Sequence, residues 1–435
     1  MDNNIKIVYN WIGPRGPIPN TEVPNVLNLA SVSDNVQTDT HRFWADNIWP
    51  LIFCNQPDYS ISPCTYLSGK DKFIYPFTLT WRIPFTTYFY NDGGLLEYGF
   101  TQNHIKHLVL HHNGYFLIEA AAEAWVQDRH LTAMHSYFEF HNIPMNKVIY
   151  LTGCMNANIL YDQWLESKGI NDYRKKMNII SFPISQDSLA IYFTSDKPPK
   201  VPDYDTERVP EKLFLSWNRR FREHRISVAL SLDKLGLLDR SYMSMGRVDP
   251  ENDNITIDSI FNEQYTIDLQ IDNDDINNFK SKLPLVLDGE TDTAKMCQDF
   301  EDLNRPYYQN SLVSIVTETN YNFAEVTLTE KSFKPSKEKH PFIIVGAPNT
   351  LQAIKDMGFK TFSEFWDENY DNIISPRHRM AAIMSVCKEI GSWNDDQIRD
   401  FRRRVKPILD HNYETLKIRY STIVASKIRT LINNS

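Results

Sequence analysis

Cysteine is scarce in this 435-residue chain: Cys54, Cys64, Cys154, Cys297 and Cys387 are scattered, odd in number, and form no Cys-x-x-Cys pair or zinc-ligand spacing. That argues for a reduced, cytoplasmic setting over a disulfide framework. Long apolar runs are also missing. No segment approaches the length of a membrane span, and the amino-terminal MDNNIKIVYNW lacks the build of a signal peptide. Positive charge is not in excess, with 46 Lys and Arg against 55 Asp and Glu and a net charge of −9. A sequence-independent grip on nucleic acid is therefore not favoured. No internal repeat and no low-complexity tract appear, so a solenoid is not expected.

What is present suits a large α/β protein. A hydrophobic content of 42% and 13% aromatics supply ample material for burial, and the length suggests two domains. Short β-branched runs alternate with helical patterns. Strands are expected at Ile5–Trp11, His107–His112, Asn146–Thr152, Asn178–Ile180, Lys212–Trp217, Leu312–Val316, Pro341–Val345 and Lys360–Phe362. Helices are expected at about Glu119–Val126, Asn158–Ser167, Ile226–Leu235 and Asn349–Met357. Such alternation indicates parallel sheets with crossover helices. The proline-rich, charged stretch 196–210 reads as a linker, dividing an α/β domain over 1–195 from a second over 211–380. Residues 381–435 read as helices packing back on the body, with Arg399, Arg402, Arg403 and Arg404 on an exposed face and Pro407 marking a break.

Residues 311–346, SLVSIVTETNYNFAEVTLTEKSFKPSKEKHPFIIVG, carry the strongest chemical signal. A buried strand ends at Glu318, a polar loop leads to Thr329-Glu330-Lys331, and a second apolar strand closes at Gly346. Acids and a lysine at a strand's carboxyl end are how open α/β sheets build ligand sites. A carboxylate there can accept hydrogen bonds from ribose hydroxyls, while a lysine beside a helix amino end can neutralise a diphosphate. Thr329 stands where its hydroxyl would cap that helix. An ordinary strand, loop and capped surface helix would give the same residues.

A second signal follows the strand Lys212–Trp217, in the run Asn218-Arg219-Arg220-Phe221-Arg222-Glu223-His224-Arg225. Arginines at a strand-to-helix junction concentrate positive charge beside the helix amino end, which suits a departing diphosphate. In the first half, Arg15 lies in a Gly/Pro-rich loop after the first strand and could reach an anion. Glu119, Glu97 and Asp92 are candidates for a general base, Glu119 first among them, with His112 as an acceptor contact or base. Asp272-Asn273-Asp274 has the form of a metal-bridging Asp-x-Asp, but it sits in an acidic, asparagine-rich stretch that reads as a solvated loop, so no metal site is expected.

Thr317-Glu318-Thr319-Asn320, Thr329-Glu330-Lys331-Ser332-Phe333 and Pro341-Phe342-Ile343-Ile344-Val345-Gly346 stand in the order found in the donor domain of the α1,3-fucosyltransferases, a family this half of the chain resembles. Thr319-Asn320 departs from the family's Asn-Ser, and Lys334-Pro335 would break the helix that follows. The resemblance implies two Rossmann-like domains facing across a cleft (the GT-B architecture) with a helical carboxyl-terminal tail. It implies inverting transfer of a sugar, fucose from GDP-fucose with a UDP-sugar as the alternative donor, to a glycan or other hydroxyl acceptor, without a required cofactor. Arg225 matches the family's donor-domain arginine. Ser216, Asn218, Arg219, Arg220, Asn320, Thr329, Glu330 and Lys331 complete the expected donor site. Glu318 would act near the sugar beside Glu119 as base. The family's animal and plant members are usually membrane-anchored; without an anchor, a microbial or viral cytoplasmic member is the better fit. Two other readings share these residues: a viral transferase that glycosylates hydroxymethylated DNA bases, and a non-catalytic carbohydrate-binding protein on a transferase scaffold.

Overall fold

The computed structural model describes residues 5–9, 52–53, 56–63, 70–78, 109, 113–121, 124–193, 198–250, 252–287 and 305–434. They form two compact units, 1–184 with 419–435, and 185–418. Each is built on a parallel sheet, and a helical carboxyl-terminal region follows.

In the first unit the strands are β1 (Ile5–Tyr9), β2 (Tyr59–Pro63), β3 (Lys72–Thr78), β4 (Gly114–Ala120), β5 (Val148–Thr152) and β6 (Asn178–Ser181). They pair in the order β2-β1-β3-β4-β5-β6. Every residue of β4 and β5 is buried, as expected for parallel strands covered on both faces. The two-residue side-chain period splits β4 cleanly. Phe116, Ile118 and Ala120 pack under α1 (Asp128–Phe140) and α2 (Ala157–Ser167) through Leu131, Met134, Tyr161 and Trp164. Tyr115 and Leu117 face the opposite cluster, which includes Val424, Ala425, Ile428 and Ile432 of the last helix. The sheet's second face is thus covered by residues far away in sequence, beyond the helices of the second unit. β4 opens on Gly114 because a Cβ there would sit 2.2 Å from the Phe73 ring on β3.

That strand corrects the expectation for the first half. Of 107–112, only Val109 is described, and it is helical; the strand is GYFLIEA, and Glu119 belongs to it and not to a helix. Alanine-rich composition suggested a helix, but burial of both faces decides for strand.

The second unit carries β7 (Lys212–Trp217), α4 (Glu223–Lys234), β8 (Ser241–Ser244), α5 (Asn273–Ser281), β9 (Ser311–Thr317), α6 (Glu330–Lys337), β10 (Phe342–Val345), α7 (Thr350–Asp356), α8 (Pro376–Gly391) and α9 (Asp395–Thr415). In chain order α3 (Ile184–Phe193) follows β6 and precedes β7, and α10 (Tyr420–Asn433) belongs to the first unit. The parallel order is β10-β9-β7-β8. The chain steps from β7 outward to β8, then returns to β9 and steps the other way to β10. The point where that order reverses, between β7 and β9, is where open α/β sheets leave a crevice at their carboxyl ends.

Several local expectations are revised. Asp272 is the N-cap of α5 in a reciprocal capping box with Asp275, so the acidic stretch opens a helix and is no loop. Pro335 lies inside α6 and Pro407 inside α9, and neither ends its helix. Residues 360–362 form no strand. The backbone N–H and C=O of Lys360 are both taken by the Asn412 side chain, at 2.8 Å each, and Phe362 N donates to Glu368. Arg402 is buried, not on an exposed face: its guanidinium donates twice to Asp205 O and lies 4.4 Å from the Tyr204 ring centroid. Together with Arg403–Glu207 and Arg305–Lys200 O, it straps residues 200–207 onto the second unit. That stretch lacks regular structure yet does not hang free. No described helix is long and apolar enough to cross a membrane.

Beneath β9, His340 is fully enclosed. Its ring nitrogens meet Ser314 Oγ (2.8 Å) and Ser311 O (3.0 Å), and burial holds its pKa down at about 3. His224, on α4, is likewise held at about 3, by burial and then by the adjacent Arg225. Both stay neutral in the fold, but unfolded they take up a proton near pH 6.5. Stability is therefore complete above pH 6.5 and falls below it by about 1.4 kcal/mol per pH unit for each histidine, towards pH 3. Urea titrations between pH 7.5 and 5.5 should show that decline. His340→Gln should flatten it by one proton's worth, and an unchanged slope would refute the assignment.

Candidate functional site

At the carboxyl ends of β7, β8 and β9 the chain gathers most of the residues the sequence singled out. The β7 end is fixed first. Asn218 N donates to Ser244 Oγ of β8 (3.0 Å), Asn218 Nδ2 to Ser216 Oγ (3.1 Å), and Thr317 Oγ1 of β9 to Asn218 Oδ1 (2.7 Å). Ser216 and Asn218 are buried. Expected as ligand contacts, they instead stitch three strand ends together, because a strand-end hydroxyl or amide satisfies its neighbours' exposed groups more readily than solvent can.

α4 starts immediately beyond. Its N-cap position is Arg222, whose side chain makes no capping hydrogen bond. Arg225, in that turn, is 3% exposed. Its Nη1 donates to Arg220 O (3.1 Å) and its Nη2 to Thr317 O (3.3 Å), while Nε is buried with no hydrogen-bond partner. Among the described residues it makes no ion pair. Burial, with Arg222 and Arg220 nearby, pulls its pKa down to about 10 against the opposing pull of Glu318 and Glu330. A guanidinium desolvated this far, held only by carbonyls and with one donor open, is suited to an anion. Of the other arginines, Arg220 pairs through Nε with Asp249 Oδ2 (2.9 Å), and Arg219 is half-buried.

Across the switch point, Glu318 is 1% exposed and its carboxylate is saturated. Oε1 accepts from Thr329 N (3.0 Å) and Ser332 Oγ (2.6 Å); Oε2 accepts from Thr329 Oγ1 (2.7 Å) and Thr319 N (3.1 Å). A role for Glu318 beside the sugar does not fit this geometry: all four lone-pair directions are occupied within the protein. It is a clamp joining the end of β9 to the start of α6. Thr329 is the N-cap of α6, accepting from Lys331 N. Lys331 Nζ rests on Glu330 Oε1 (2.8 Å) and Thr329 Oγ1 (3.2 Å), half-exposed. For Glu330, burial would raise the pKa, but Lys331 and Lys334 outweigh it and the carboxyl is held below its usual range. Asn320 Nδ2 holds the same loop through Thr327 Oγ1 (2.9 Å). His224 Nε2 meets Glu318 O (2.9 Å), and its ring stacks on Tyr321 with centroids 5.2 Å apart.

In the first unit, Glu119 is 1% exposed at the carboxyl end of β4, in register with Thr78 and Leu151, and its Oε1 accepts from Ala121 N (2.7 Å). Arg15, Glu97 and His112, with Asp92, lie outside the described residues. No group of three or more acidic, histidine or cysteine side chains with the spacing of a metal site occurs among the described residues. Asp249 and Tyr321 were not anticipated. Asp249 had a weak signal, its place five residues past the short strand β8; Tyr321 had none apart from lying in the loop after Glu318.

No family model matches the chain, and no curated protein matches it. Among solved structures it is similar to trehalose-6-phosphate synthase OtsA (9% identity, 99% of each chain, TM-score 0.38). It is also similar to an α,α-trehalose-phosphate synthase (UDP-forming) from Burkholderia vietnamiensis (10% identity, 85% of this chain and 72% of that one, TM-score 0.37). A third is the sucrose-phosphate synthase of Thermosynechococcus elongatus (8% identity, 78% and 94%, TM-score 0.32). At such scores the likeness adds nothing to the assignment of individual residues.

Proposed function

We propose that this chain is a glycosyltransferase that moves a sugar from a nucleotide-sugar donor to an acceptor hydroxyl with inversion. The single observation that carries the reading is Arg225: a buried guanidinium with an open Nε and, among the described residues, no ion-pair partner, in the first turn of a twelve-residue helix at the sheet's switch point. A diphosphate would receive the guanidinium and the helix amino end together. Lys331 would turn from Glu330 to the same group, leaving Glu330 for the ribose hydroxyls. These cations would stabilise the charge that builds on the leaving nucleoside diphosphate. Glu119 is the proposed base that takes the acceptor's proton; Glu318 is not assigned a chemical step.

Fucose from GDP-fucose is the donor that the motif resemblance supports, and UDP-sugars are the alternative. A cytoplasmic location accompanies this reading. The test is a thermal-shift panel with GDP, UDP, ADP, CMP and their sugar conjugates, with and without EDTA. A ligand at a hundred times its Kd adds about 2.7 kcal/mol of stability. Stabilisation by GDP and GDP-fucose that survives EDTA is the expected result. A response to UDP alone replaces the donor, and no response to any nucleotide refutes the reading.

A further inference from the structure

Asp249 is fully buried, on the loop after β8, and no role in the site attaches to it from the sequence. Its Oδ2 accepts from Arg220 Nε (2.9 Å) and from Phe221 N (2.8 Å). The residue is itself fixed: its N donates to Ile255 O (2.9 Å), and its carbonyl accepts from Asn252 N (3.2 Å). One oxygen of one carboxylate thereby holds the turn between β7 and α4 by side chain and backbone at once. The consequence reaches the anion site directly, because Arg220 O is the carbonyl that receives Arg225 Nη1.

We propose that Asp249 is a positioning residue for the diphosphate site, acting through Arg220 and Phe221 to set the guanidinium of Arg225 and the amino end of α4. This rests on the functional reading above. It also divides labour among the arginines: Arg220 is neutralised and structural, and Arg225 is left for the ligand. Lysine could not replace Arg220, since the bond to Asp249 is made by Nε, in the plane of the fork.

The sign of one substitution separates positioning from charge. Asp249→Leu removes both acceptor oxygens and also a negative charge beside an anion site, so electrostatics alone would tighten binding of GDP or pyrophosphate. Positioning predicts the reverse: at least tenfold weaker binding of both probes by calorimetry, measured well below the variant's Tm. Asp371→Asn is the stability control, since Asp371 is another buried carboxylate that accepts two backbone N–H groups, Leu351 N (2.9 Å) and Gln352 N (3.0 Å), at the start of α7. It should lower Tm and leave Kd unchanged. If Asp249→Leu does not fold, Arg220→Lys, which conserves charge, should still weaken binding severalfold. Equal or tighter binding by the Asp249 variant, or an unchanged Kd for Arg220→Lys, overturns the proposal while the functional reading stands. Failure of the wild-type protein to bind any nucleoside diphosphate or pyrophosphate overturns both.

Discussion

Replacing Arg225 with methionine should abolish tight binding of a nucleoside diphosphate while leaving the unliganded protein at least as stable as before. The two effects have opposite signs for one reason. In the free protein Arg225 is a buried cation that makes no ion pair among the described residues, and burial together with Arg222 has already drawn its pKa down to about 10. Exchanging an uncompensated buried charge for an apolar side chain of similar volume removes its desolvation cost and should be neutral or stabilising. A bound diphosphate reverses the balance. Truncating one partner of a desolvated, hydrogen-bonded charge pair costs about 2–5 kcal/mol, roughly thirtyfold to several thousandfold in Kd. Urea titration and calorimetry on the same preparation would check both halves. A variant that is destabilised yet binds GDP and UDP as the wild type does would mean that Arg225 is a structural arginine and that the ligand lies elsewhere.

Glu318→Gln should act on stability rather than on chemistry. An ionised carboxylate accepts hydrogen bonds from Thr329 N, Thr329 Oγ1, Ser332 Oγ and Thr319 N. Glutamine has one acceptor oxygen, and its amide nitrogen would turn two donors towards donors already in place. Losing charge-assisted bonds and leaving buried donors unmet should destabilise the second unit by about 3 kcal/mol. For a unit of this size that is a fall in Tm of roughly 6–12 °C. Nucleotide affinity should fall only modestly, in step with loosening of the α6 start. A variant with wild-type Tm and no turnover would instead restore Glu318 to the chemical step and overturn the clamp.

The contrast between these residues marks how far the sequence can be read. The run SLVSIVT is apolar and β-branched throughout, so a strand buried on both faces was legible, as was FIIV beside it. Thr329 ahead of Glu330 and Lys331 was legible as a helix start, because a hydroxyl at that position competes well for the first free N–H groups. The arginine run after KLFLSW was visible as an anion-binding candidate for the same local reason. Local signals failed where two elements decide one residue. GYFLIEA became a strand only because helices cover both its faces, one of them α10, which closes the chain. Pro335 and Pro407 sit inside helices that packing sustains despite the missing N–H.

By itself the sequence determined the alternation of strands and helices, the absence of an apolar membrane-spanning run, and the set of charged residues gathered at strand ends. Those follow from side-chain periodicity, composition and capping, which act within a few residues of chain. Tertiary structure alone decided which charges are available. Asp249 neutralises Arg220 from another loop, and Thr329 and Ser332 consume the carboxylate of Glu318. Arg402, taken for an exposed residue, is buried against Tyr204 and the carbonyl of Asp205. In each case the partner is distant in sequence or set by a turn's exact path, and a charge's role depends on the partner it meets and on how much water remains around it.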